Sequence, residues 1–222
     1  MILALAQPAC AHTIAMPGIS FSDELGGFDL VQVKGKGSIA DPFVVVERVS
    51  NPDGATLVFR ADASLGNLIG SPDRIGFALV KVIVNASGHD WSSLEVELQS
   101  KYGQPSDHTD ELSYGQGSDA GRPFTSTVFH KVTLIDEPYD RIEFEDGIVP
   151  PGGSVILRFV VSQPASLQKA FIVQRPGRPV ASLPQPAPLM GVPSLAAFSP
   201  GRLPDRLNKR GQVSFERPPA AD

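Results

Sequence analysis

Residues 77–99 constrain the fold more than any other stretch. They read FALVKVIVNASGHDWSSLEVELQ. Residues 77–84 are apolar on both faces except at Lys81. Residues 94–99 alternate, with Leu94, Val96 and Leu98 on one side and Glu95, Glu97 and Gln99 on the other. A strand covered on both faces beside a strand wet on one is the pattern of a packed antiparallel sheet. Similar short runs recur at 28–34, 43–49, 56–61, 128–135, 141–145, 154–161 and 170–174. Turn chemistry separates them, as in Asn51-Pro52-Asp53-Gly54 and Pro150-Pro151-Gly152-Gly153. Helical periodicity is almost absent. The expected fold is therefore all-β, an antiparallel β-sandwich of about nine strands. The expected core holds Phe43, Val45, Leu57, Phe59, Val80, Val82, Leu94, Val96, Leu98, Ile142, Phe144, Leu157 and Phe159. That choice turns Lys81 away from the core.

The chain divides into three parts by composition. Residues 1–11 begin with a short apolar run and end in Ala9-Cys10-Ala11, the small-x-small pattern of a secretory cleavage site. No Lys or Arg precedes the run, as in a leader truncated at its start. Cys10 is the one cysteine, so cleavage after Ala11 leaves a chain without thiols. Residues 12–175 carry the strand signals and form the expected β-sandwich domain. Residues 176–222 contain ten prolines, from Pro176 to Pro219. Each proline removes a ladder donor, so this part is expected to be a disordered tail. The expected location is extracytoplasmic: periplasmic, cell-surface or secreted. A net charge of −5 without a basic stripe argues against a nucleic-acid partner. No apolar run approaches the ~20 residues of a membrane span.

The run Asn85-Ala86-Ser87-Gly88-His89-Asp90-Trp91-Ser92, followed by Leu94 to Leu98, resembles the strand-turn-strand of exported bacterial PEP-CTERM-type proteins. There an N-x-(S/T)-G-x-x-W-(T/S) turn precedes an alternating strand. The tail is similar in order: Leu183-Pro184-Gln185-Pro186, then apolar residues 189–198, then Arg202, Arg206, Lys209 and Arg210. It departs in detail, because Gln185 stands where the family has Glu and Pro193 interrupts the apolar stretch. The resemblance implies a secreted, β-rich protein acting at a cell surface or in a matrix.

Catalytic signatures are lacking. Gly35-Lys36-Gly37-Ser38 lacks the phosphate-loop frame, and there is no G-x-S-x-G elbow. His130 reads as a satisfied, half-buried strand residue, and Glu143 and Glu145 as a solvated face. The leading expectation is a non-enzymatic protein that binds a surface glycan or protein partner, or serves a structural role. A hydrolase whose residues converge from distant loops is an alternative. Another is a carbohydrate- or calcium-binding module built on residues 100–127. Trp91, Tyr102 and Tyr114 are its candidate ligand-binding residues, because aromatic rings exposed together can stack on sugars. Asp107, Asp110 and Glu111 are its candidate Ca²⁺ ligands, because Ca²⁺ prefers clustered carboxylate oxygens. Trp91 carries a conflict of its own. Strict alternation back from Leu94 points it outward, whereas a turn or bulge at the strand start turns it inward. Burial of its large ring favours the second.

Overall fold

A computed structural model describes residues 11–71, 73, 75–107, 109–115, 124–135 and 138–178. All belong to the unit Met1–Ala181; the second unit, Ser182–Asp222, lies outside the described residues. The leader-like start and most of the proline-rich tail therefore also lie outside them.

The described residues are all-β, with no helix. Their strands are β1 (Thr13–Met16), β2 (Ile19–Ser22), β3 (Phe28–Lys34), β4 (Phe43–Val49), β5 (Ala55–Ala61) and β6 (Ile75–Asn85). They continue with β7 (Ser93–Gln99), β8 (Thr125–Ser126), β9 (Lys131–Ile135), β10 (Arg141–Glu145), β11 (Ser154–Gln163) and β12 (Ala170–Gly177). One sheet has the order β1-β2-β5-β12-β7-β10-β9, the other β3-β4-β6-β11-β8. The two sheets enclose one core, and the result is a β-sandwich.

One pairing departs from the expected antiparallel pattern: β4 and β6 run parallel. Parallel neighbours need a crossover. Here β5 supplies it by pairing in the opposite sheet before the chain returns as β6.

The core is built where periods of two from both sheets face each other. Phe21, Phe43, Phe77 and Phe59 form a chain of edge-to-face rings, with centroids 5.7, 6.0 and 5.5 Å apart. Most of the expected core is buried, including Phe43, Leu57, Leu94, Val96, Ile142, Phe144 and Phe159. The face of β6 is the exception. Register pairs Val45 with Lys81, and Leu157 with Lys81. The inward set on β6 is therefore Phe77, Leu79, Lys81 and Ile83, while Val80 and Val82 lie on the opposite face and Val82 is only half-buried. Lys81 is fully buried against an equally buried Glu47 of β4, with Nζ 2.8 Å from Oε1. Val80 is buried all the same, on the outer face, so the expectation fails at Val82 and in the choice of inward face, because both faces of this strand are apolar and apolarity alone did not choose between them.

The edges are irregular. Between Leu30 and Gln32 the β3 register shifts, leaving Val31 as a bulge and 58% exposed. Bulges and very short strands such as β8 blunt an edge against pairing with another chain.

Candidate binding face

The outer face of the seven-stranded sheet is laid out by register. One row across β5, β12 and β7 is Val58, Phe171 and Gln99. The next is Thr56, Val173, Glu97 and, on β10, Arg141. A third is Arg175, Glu95 and Glu143. Arg141 thus stands opposite Glu97 and Arg175 opposite Glu95, two favourable cross-strand pairs, while Glu95 and Glu143 oppose each other directly and share the neighbouring Arg141 guanidinium.

These side chains are tied together. Arg175 donates to Glu95 Oε1 at 2.6 Å and to both oxygens of Glu97 at 3.0 and 3.1 Å. The hydrogen bond to Glu97, aided by Glu95, raises the Arg175 pKa above its ordinary value. Gln99 Nε2 donates to Glu97 Oε1 at 2.5 Å, and the Gly103 amide donates to Gln99 Oε1 at 2.7 Å. Arg141 stands 3.3 Å from Glu143. Glu143 is thus paired on a solvated face, as is Glu145, whose carboxylate accepts from Lys131.

Gly103 belongs to the turn that holds Tyr102. The Tyr102 ring is 63% exposed and leans on Phe171, with centroids 5.7 Å apart. Beside it lies a cleft of about 320 Å³. Its floor is Thr56, Val173, Gln99 and Arg175, and its walls are Tyr102 with Gly103 and the segments around Leu25 and Asn51. Gly54 closes one end. Its φ is +117°, and a Cβ there would sit 2.2 Å from the Gln174 carbonyl oxygen, so only glycine fits.

Further along the face, Glu24 accepts two bonds from Arg60, at 2.7 and 2.8 Å, and one from Lys169 at 2.8 Å. Lys169 also sits 5.2 Å from the Phe171 ring centroid, over its face. The Arg60 bond, followed by that of Lys169, holds the Glu24 carboxyl at about 2 instead of 4.5. A depressed carboxyl stabilises the fold above its unfolded value and loses that effect as pH falls through its folded value. Glu24→Gln should therefore lower stability at every pH above about 4.5, and the difference should fade as pH drops through about 2. Urea unfolding of both proteins across that window checks it.

The three candidate aromatics do not form an exposed strip. Trp91 and Tyr114 are core residues, 1% and 0% exposed, and Tyr102 alone is at the surface. Trp91 pairs with Val149 as an isolated bridge before β7 begins, so the alternation breaks at Ser92 and the ring turns inward. Its Nε1 donates to Ser87 Oγ at 3.0 Å. Asn85 holds the same turn from within: its Nδ2 donates to the carbonyls of His89 and Val149 at 2.7 and 2.9 Å. Its Oδ1 accepts from the Ser87 amide and hydroxyl. Every residue type of the N-x-S-G-x-x-W motif thus has a structural task, with Gly88 taking φ +79°. Tyr114 packs edge-to-face on Phe159 and donates to the Val96 carbonyl at 2.8 Å. Burial pushes its hydroxyl pKa well up.

The acidic candidates serve their own loop. Asp107 Oδ1 accepts from the Thr109 amide and hydroxyl. Asp110 Oδ1 accepts from Ser106 Oγ at 2.7 Å and the Leu112 amide at 3.0 Å. Glu111 has φ +58° and is exposed. Among the described residues no three His, Cys, Asp or Glu side chains gather as a metal site; His108 lies outside the described residues. His130 also differs from expectation. It precedes β9, is exposed, and bonds the Asp146 carbonyl through Nδ1 at 2.8 Å.

Comparison with protein-family models, curated proteins and solved structures finds no match to this chain.

Proposed function

We propose that this protein is an extracytoplasmic binding module of a cell surface or matrix, and that it takes a neutral carbohydrate in the cleft beside Tyr102. The single observation behind this reading is the pairing of an exposed, braced tyrosine ring with a polar cleft floor. A sugar ring presents an apolar face and a rim of hydroxyls. Tyr102 offers a flat apolar surface already leaning on Phe171, so little motion is lost on stacking. Thr56, Gln99 and Arg175 offer hydroxyl, amide and guanidinium groups within one cleft. The network of Arg175, Glu97 and Gln99 fixes the floor before any ligand arrives. A net charge of −5 and the carboxylates Glu95, Glu97 and Glu143 favour neutral over acidic polymers. Export is supported by the signal-like start and by the resemblance of the turn motif and tail.

Affinity electrophoresis of the full chain, in gels carrying soluble neutral glucan or the acidic polysaccharide alginate, tests the reading. Retardation is expected in the neutral gel. Tyr102→Ala should weaken it roughly tenfold, equivalent to about 1.4 kcal/mol. Thermal stability should change by less than about 1 kcal/mol, because the ring is mostly exposed. Equal mobility in every gel, or retardation that survives Tyr102→Ala, would reject the cleft as the site.

A further inference from the structure

The buried polar cluster between the sheets plays no part in that cleft. Lys81 of β6 and Glu47 of β4 are both wholly inaccessible to solvent. Gln174 of β12 is 1% exposed and reaches the same carboxylate from the opposite sheet. Its Nε2 donates to Glu47 Oε2 at 2.7 Å, while Lys81 Nζ lies 2.8 Å from Oε1. The Lys81–Glu47 contact lies off the axis of a good hydrogen bond, so Nζ and Oε1 lack a directed partner, and so does Gln174 Oε1. An amine, a carboxamide and a carboxylate thus share one apolar interior. Buried charges and unpaired polar atoms are costly there.

We propose that Lys81 and Gln174 join in an intramolecular isopeptide bond, with Glu47 as the proton carrier. Lys81 Nζ first gives a proton to Glu47 and becomes a neutral amine. Desolvation of Lys81 outweighs the pull of Glu47 and lowers the lysine pKa, which favours this transfer. A desolvated lysine is an activated nucleophile. Nζ then attacks Gln174 Cδ, and the Nζ–Cδ bond forms as the carbonyl electrons move to Oε1. A second proton leaves Nζ, is relayed through Glu47 and reaches Nε2. The Cδ–Nε2 bond breaks and ammonia departs. Of the three ammonium protons, one stays on the amide nitrogen, one leaves in ammonia and one remains on Glu47. Nothing is oxidised or reduced. A buried ion pair becomes a neutral amide and a neutral carboxyl, so the reaction removes the charges whose burial is costly. The bond ties β6 of one sheet to β12 of the other. With one cysteine in the chain, an internal disulfide cannot provide such a tie.

Protease digestion of the purified, denatured full chain followed by mass spectrometry tests this. The expected product is a branched peptide joining the segment that carries Lys81 to the segment that carries Gln174, one ammonia lighter than their sum. Glu47→Gln should give the two peptides separately at full mass. Separate full-mass peptides from the wild-type chain would overturn the proposal. So would a branch that is one water lighter and joins Lys81 to Glu47. A branch that persists in Glu47→Gln would overturn the role given to Glu47.

Discussion

Glu47→Ala should destabilise the fold by at least about 3–5 kcal/mol, the range for breaking a buried pair by removing one partner, before loss of the cross-link is added. At this domain size that lowers the melting midpoint by on the order of 10 °C. Three costs combine. Lys81 keeps a buried ammonium with no counter-charge, or sheds its proton at a cost in free energy. Gln174 Nε2 loses its acceptor. The vacated volume lies between closely packed strands, beside Ile83, which is paired with Glu47 in register. The triple replacement Glu47→Leu, Lys81→Met and Gln174→Leu removes every polar member of the cluster and so separates these costs from the cross-link. Exchanging a buried ion pair for apolar residues is often neutral or stabilising. An ordinary polar cluster would therefore let the triple variant regain wild-type stability. With the isopeptide bond, the triple variant stays below the wild type, because closing a long loop is worth on the order of 4 kcal/mol in the unfolded-chain account. Thermal and urea unfolding of the wild type, the single variant and the triple variant read the difference directly.

The strands were legible because their signal is local. The boundaries 28–34, 43–49 and 141–145 read from alternation agree with β3, β4 and β10. What was missed lacked that signal. Strands β1 and β2 are four residues each, half of them Ala, Ser or Thr, too short and too polar to stand out beside the runs from residue 28 onward. The Pro17-Gly18 turn between them was the available clue, and Gly18 does take φ +73°. The inward face of β6 was hidden by apolarity on both sides. The charges themselves held the missing information. Glu47 shares a face with Phe43, Val45 and Val49, and Lys81 shares one with Phe77, Leu79 and Ile83. Two opposite charges, each alone on an apolar face, are a signature of a buried pair.

The cleft was legible only in fragments. Alternation placed Glu95, Glu97 and Gln99 on one wet face. It could not place Arg175 beside them, because period two gives faces and not strand partners. The cleft is assembled from segments near residues 25, 51, 102 and 174, which only the pairing of β5, β12 and β7 brings together. Among the aromatics, Tyr102 stays outside because it sits in a tight turn, whereas Trp91 finds a half-buried acceptor for its polar atom and Tyr114 a buried one.

Trp91→Ala should cost about 3–5 kcal/mol, the range for truncating a large buried aromatic. The ring is 1% exposed, and it anchors the point where the Asn85 turn enters β7. Its loss opens a cavity and leaves Ser87 Oγ without the indole donor. The main-chain bridge to Val149, with hydrogen bonds of 3.0 and 2.9 Å in the two directions, should persist. The damage is therefore a packing loss, with the turn still held by Asn85. Trp91→Phe divides the effect: it restores most of the apolar volume but not the Nε1 donor, and should recover more than half of the loss. Trp91 is the only tryptophan, so its fluorescence reports on this position alone. Iodide should quench it poorly in the folded protein and freely after unfolding in urea. Strong quenching of the native protein, or a Trp91→Ala variant as stable as the wild type, would place the ring at the surface. The N-x-S-G-x-x-W turn would then be a binding loop instead of a structural staple.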